Sequence, residues 1–131
     1  MKGYHGKIEQ DTLQNNNFRH VLYTAKHSQL VLMSLKPGEE IGMETHPNDQ
    51  FFRIESGQGK CVIDGNEYLL EDGIGLVIPA GSQHNVMNTS STEALKLYTI
   101  YSPPHHVDGL VQATKEEAER SDEEFEGETT E

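Results

Sequence analysis

Apolar and β-branched residues fall in short runs along the whole chain, broken every few positions by Gly, Pro, Asn or Asp. That rhythm predicts strands over 18–24, 28–35, 41–46, 50–56, 59–63, 66–70, 74–78, 84–88 and 94–101. Many short strands at this spacing are the pattern of an all-β sandwich or barrel rather than of a helix bundle.

Turn chemistry sharpens the pattern. Asp64-Gly65, between CVI and NEYLL, supplies the backbone a two-residue hairpin needs and so makes 59–63 and 66–70 antiparallel neighbours. Lys36-Pro37-Gly38 and Ile78-Pro79-Ala80-Gly81 are further turn signals. Thr114 is placed to N-cap a short helix over 115–120, with Glu116 and Glu117 at the positive end of its dipole. Past Ser121 the segment SDEEFEGETTE has little apolar surface to offset the entropy of ordering, and disorder is the expectation. The division is therefore one β domain, sandwich or barrel, over 1–114 and a short helix with an acidic tail over 115–131.

Strand alternation assigns faces. Leu95, Leu97, Thr99 and Tyr101 share one face, opposite Lys96, while Gln50 shares its face with Phe52 and Ile54. Glu44 and His46, two residues apart, point to a common side.

Charge narrows the partners. Of the chain's net charge of −12, the tail from Lys115 onward contributes −7, leaving a body at only −5. Nucleic acid and anionic membrane surfaces, which need Lys and Arg to neutralise phosphate, are discounted. No apolar run approaches the ~20 residues of a spanning helix. A single cysteine, Cys61, in an apolar strand reads as a buried inert thiol, and a start without a signal-peptide core makes the cytoplasm the expected compartment. Walker-type phosphate loops, dinucleotide fingerprints, paired CxxC and GxSxG elbows do not occur.

Gly73, Pro79, Gly81, His84 and Asn88 stand in the arrangement G-x5-P-x-G-x2-H-x3-N. With Gly38, His46 and Gly57 upstream, this resembles the two motifs of the cupin superfamily over roughly residues 30–102. The second motif matches throughout. In the first, Glu44 replaces the usual first histidine and Gln50 the usual glutamate. The resemblance implies a double-stranded β-helix, or jelly roll, holding one divalent metal ion, with the mannose-6-phosphate-isomerase-like branch as the nearest analogy. It implies a ligand set of Glu44, His46, Gln50 and His84, with neighbouring Asp49 as the alternative to Gln50. Two histidines, one carboxylate and one neutral amide carry the same formal charge as the family's three histidines and one glutamate, so the departures relocate the carboxylate without removing it.

Such a site suits Mn, Fe, Ni or Zn. The favoured expectation is a metal-dependent, isomerase- or lyase-like enzyme acting on a small oxygenated or sugar-like molecule. Glu44, His46 and His84 equally constitute the two-histidine-one-carboxylate set of Fe(II)-dependent dioxygenases, and a non-catalytic small-ligand-binding protein is a third reading. Tyr101 is the candidate base, with Phe52, Met43 and Met87 as candidate pocket walls. Tyr98, His20, Arg19, Arg53, His105 and His106 are further candidates for proton transfer or anion binding, with His105 and His106, after Pro103-Pro104, expected on the surface. Family resemblance and an outward Tyr98-Ile100 pair suggest a homodimer.

Overall fold

The computed structural model describes residues 1–131. Nine strands follow a first helix: α1 (Ile8–Gln14), β1 (Arg19–Thr24), β2 (Gln29–Leu35), β3 (Asp49–Ser56), β4 (Gly59–Ile63), β5 (Asn66–Leu70), β6 (Gly75–Ile78), β7 (His84–Asn88), β8 (Leu95–Ser102) and β9 (Val111–Gln112); α2 (Lys115–Arg120) comes last. All pairings are antiparallel. A six-stranded sheet runs β6-β3-β8-β2-β1-β9, and a three-stranded sheet runs β5-β4-β7.

The core lies between the two sheets, and period-2 alternation puts it there. On β8, Leu95, Leu97, Thr99 and Tyr101 are buried while Lys96, Tyr98 and Ile100 are only half-buried. Gln50, Phe52 and Ile54 of β3 turn the same way, and Phe52 and Ile54 join Val31, Met33, Leu35, Ile78 and Val86 in the core. The Asp64-Gly65 turn joins β4 to β5 with Ile63 opposite Asn66, as its chemistry predicts. Thr114 caps α2, its hydroxyl accepting from the Glu117 N–H at 3.2 Å.

Three features differ from the sequence expectation. Residues 41–46 do not form a strand. They run beside β7 through isolated bridges, Glu40 to Met87 and Glu44 to His84, so four residues on one side span three on the other. The extra residue is absorbed at Gly42, whose N–H is taken by the Asn85 side chain at 2.9 Å instead of by the ladder. Helix α1 and strand β9 lack strong periodicity: α1 rests on β3 and β8, and β9 is held by two pairs, with Arg19 and His20.

The tail is the third difference. Its composition predicts disorder, yet it runs back along the barrel, where hydrogen bonds to residues far away in the chain hold its backbone at a few points. Phe125 donates its N–H to the His105 carbonyl at 3.0 Å, and Thr130 exchanges bonds with Thr24 and accompanies them with one to Asp108. Composition registers the repulsion among the acids but not these distant acceptors.

Cys61 is wholly buried among apolar side chains, and burial pushes its thiol up to about 11. The native protein should therefore be silent to an aromatic disulfide reagent at pH 8 and release one thiol's absorbance only after denaturant is added. A fast native reaction would show that β4 opens readily.

Candidate metal centre

The stretch from Glu44 to Gln50 keeps a strand's alternation before β3 formally begins, so that His46, Asn48 and Gln50 are buried while Thr45, Pro47 and Asp49 are exposed. Asn48 ties this stretch to the loop after β8 through the Pro103 and Pro104 carbonyls. The antiparallel bridge to β7 then sets Glu44 against His84, with both backbone hydrogen bonds made at 2.8 and 2.9 Å.

Glu44, His46 and His84 converge: one potential ligand atom from each lies within 4.8 Å of the others. The Glu44 Oε2 atom is 3.4 Å from His46 Nε2 and 3.9 Å from His84 Nε2, and the two imidazoles meet edge to face at 4.8 Å. Burial by itself would raise the Glu44 carboxyl, but the neighbouring His46, Arg19 and His84 outweigh it and hold the group below its ordinary value. Glu44 is thus ionised at neutral pH.

His84 Nδ1 lies 3.1 Å from the Ser82 carbonyl, which can only accept, so Nδ1 donates there and Nε2 is turned toward Glu44. Both His46 Nε2 and His84 Nε2 are buried with no hydrogen-bond partner. So is Gln50 Oε1, whose amide nitrogen donates to Thr99 Oγ1 at 3.0 Å. Buried polar atoms are nearly always satisfied. A cluster of electron-pair donors left open around one carboxylate is the chemistry of a cation site, and the residues present fit a divalent transition metal.

Asp49, the alternative oxygen donor, faces outward and accepts from the Ala80 N–H at 2.9 Å. Tyr101 lies in the interior, its ring 5.7 Å from His46 and its hydroxyl 3.3 Å from His106 Nε2. Burial raises its phenol far above the ordinary range and so favours the protonated hydroxyl over the base that the sequence suggests. Phe52 belongs to the core beneath this face. Met43 is 55% exposed, turned away by the same alternation that brings Glu44 in. Met87, out of phase with His84 on β7, sits on the outer face opposite Lys60. Neither methionine is among the residues that line the cavity above the centre.

His105 and His106, expected on the surface, are instead packed over the centre. His105 lies 4.8 Å from the His46 ring and stacks on Tyr101 at 5.2 Å. The loop is fixed by buried Gln29, whose Oε1 accepts from both backbone N–H groups and whose Nε2 donates to the His106 carbonyl. Burial, then the charge of His46, lowers His105; burial and Arg19 lower His106 to about 2. Of the remaining candidates, Tyr98 packs on Phe51 at 6.3 Å, and Arg53 pairs with Glu55 at 2.9 Å, both outside the centre, while His20 faces an outer groove with Leu22 and Leu32.

Above the centre is a cavity of about 270 Å³. Its walls are Arg19, Glu44, His105, His106 and Gln112 from the barrel, with Asp122, Glu123 and Glu124 of the tail closing one side. Glu44 belongs both to the ligand cluster and to the cavity wall.

Residues 31–101 match the Cupin domain family. The chain belongs to the cupin family. This cupin is 49% identical over 118 residues to YrkC, an uncharacterized protein of Bacillus subtilis, the match taking in 85% of this chain and 63% of that one. It thus spans somewhat less than two thirds of that relative's length. An uncharacterized protein of Acanthamoeba polyphaga mimivirus is 46% identical over 112 residues, covering 82% of this cupin and 70% of the viral protein. The crystal structure of BH2720 from Bacillus halodurans superposes with a TM-score of 0.89 at 40% identity, covering 92% of this cupin and 96% of that chain. No helix of the cupin is long and apolar enough to cross a membrane.

Proposed function

We propose that this cupin is a metal-dependent enzyme, isomerase- or lyase-like, that acts on a small oxygenated molecule in the cavity over Glu44, His46 and His84, with Gln50 as a fourth ligand. The observation that carries the reading is the convergence of buried, partnerless His46 Nε2 and His84 Nε2 on an ionised Glu44. A divalent ion held there supplies Lewis-acid polarisation of a carbonyl or hydroxyl oxygen.

The chain's own residues complete the site. The Ser82 carbonyl orients His84, and Thr99 holds the Gln50 amide so that its oxygen is free. His105 is only half-buried, lines the cavity and is kept neutral, so its ring can accept a proton at neutral pH where Tyr101 cannot. The hydroxyl of Tyr101, kept protonated, is left to donate a hydrogen bond. The tail and the His105-His106 loop narrow the mouth and limit water entry.

Two imidazoles and one carboxylate in one cluster favour a second reading, an Fe(II)-dependent dioxygenase. Elemental mass spectrometry of protein purified without a metal-affinity tag should find about one equivalent of Mn, Fe, Ni or Zn per chain. Chelation should lower the unfolding temperature and re-addition restore it, because an ion that binds only the folded state stabilises it. Uptake of O2 by the Fe(II) form together with substrate loss would select the dioxygenase; turnover under anaerobic conditions would select the isomerase or lyase. Protein that takes up no metal even after reconstitution would leave only a non-catalytic binding role.

A further inference from the structure

Arg19 has an unusual position for a cation. It is 7% exposed on β1, lines the cavity over the metal centre, and takes part in none of the ion pairs of the fold. Arginine is rarely buried unless paired, because removing a guanidinium from water without a counter-charge is costly. Glu44 lies within electrostatic reach of Arg19 but forms no ion pair with it, and the direct contacts of the guanidinium meet only part of that need. Nη1 donates to Gln112 Oε1 at 2.7 Å, and the guanidinium lies 5.2 Å over the Phe18 ring. Nε is buried with no partner, and Nη2 makes no hydrogen bond within the protein.

We propose that Arg19 is the anchor for a substrate carboxylate, and that the ligand of this cavity is a small monocarboxylate carrying a neighbouring hydroxyl or carbonyl. This deepens the metal-centre reading and rests on it for the oxygen that the ion would take. Arg19 and Glu44 share the cavity, so a ligand lying between them meets a fixed cation at one end and the metal-ligand cluster at the other. A guanidinium with free nitrogens matches a planar carboxylate by two hydrogen bonds.

The rest of the wall sets the charge that can enter. Lys115 is its other cation, while Glu119, Asp122, Glu123 and Glu124 are four carboxylates besides Glu44. One buried cation inside a ring of acids accommodates a single negative charge; a phosphate dianion would meet like-charge repulsion at the rim. A volume of about 270 Å³ lies at or below the usual lower end for small-molecule sites and suits a ligand of a few carbons.

The test uses glycolate as probe, ethylene glycol as its neutral counterpart and inorganic phosphate as the competing anion. Binding is read by ligand-observed NMR titration on the full chain, both as purified and after chelation. Glycolate should bind both preparations at least tenfold more tightly than it binds Arg19→Gln, with ethylene glycol not binding and phosphate binding more weakly than glycolate. Should Arg19→Gln fail to fold, Gln112→Glu serves instead. It sets a carboxylate where Nη1 already donates and should weaken glycolate at least fivefold with an unchanged circular dichroism spectrum. Glycolate affinity unaltered by either variant, or phosphate bound more tightly than glycolate, overturns the proposal. Loss of the Arg19 effect in metal-replete protein refutes this inference alone. Absence of metal with the Arg19 effect intact refutes the metal-centre reading and leaves the carboxylate anchor standing.

Discussion

Replacing His84 by alanine should reduce bound metal from about one equivalent to less than a tenth while leaving a folded β protein. The substitution removes Nε2, one of two imidazole donors beside Glu44, together with the Nδ1 contact to Ser82 that aims it. Loss of a ligand from a mixed nitrogen and oxygen set leaves too few donors to offset the dehydration of the ion. The fold does not depend on the side chain in the same way. β7 is held by its ladder to β4, and the apolar core is built from other residues, with Val86 as the strand's contribution. A destabilisation of about 1–2 kcal/mol is expected from the small void. Elemental mass spectrometry beside far-ultraviolet circular dichroism checks both halves. His20→Ala, which alters a histidine on the outer face of β1, is the control and should retain its metal. Equal metal in wild-type and His84→Ala protein would remove the site from these residues.

The largest effect on stability should come from Gly57→Ala. Gly57 has φ +100°, a region side chains rarely adopt, and an added Cβ would stand 2.4 Å from the Ala94 carbonyl oxygen and 2.9 Å from Leu95 Cα. Both are backbone atoms at the start of β8, the strand at the middle of the larger sheet, and neither can move without disturbing the β3-β8 ladder. Gly73 is the natural comparison. It has φ +92° but open space around the built Cβ, so Gly73→Ala should cost about 1 kcal/mol for the backbone conformation alone. Gly57→Ala adds a clash with backbone and should cost on the order of 4 kcal/mol, a large share of the ~5–15 kcal/mol by which such domains are stable. Urea denaturation of the two variants measures the difference. Equal midpoints would mean that the β3-β4 turn yields more easily than its packing suggests.

These two glycines also show how far a motif can be read. The motif resemblance picks out Gly38, Gly57, Gly73 and Gly81 among twelve glycines, but only the approach of β8 to the β3-β4 turn separates Gly57, which must lack a side chain, from Gly73, which merely prefers to.

The same division runs through the site. Strand alternation is local, a property of each residue and its neighbours two away, and so Gln50 with Phe52, Leu97 with Tyr101, and Glu44 with His46 are legible on shared faces from the sequence. The Asp64-Gly65 hairpin and the Thr114 cap were legible for the same reason, each depending on a few adjacent residues. Residues 41–46 were misread as a strand because the bulge at Gly42 is decided by a side chain from β7, Asn85.

What tertiary structure alone decided is whatever depends on contacts far apart in the chain. His105 and His106 follow two prolines and look like a surface loop until Gln29, more than seventy residues earlier, draws their backbone inward. Met43 and Met87 neighbour ligands in sequence, yet the alternation that turns Glu44 and His84 in turns them out. Alternation puts Tyr101 on the interior face, but the depth of its burial is set by the loop folded over it. The acidic tail gave no local sign of its path, which is fixed by acceptors on β1 and on the loop after β8. The chain's local chemistry thus determined most of the strands and their faces, and the resemblance to the cupin motifs pointed to the donors that could hold a metal. The closing of one sheet on the other determined which donors lack partners and which cation, Arg19, is left facing them, because burial and satisfaction are properties of the assembled barrel and of no segment of it.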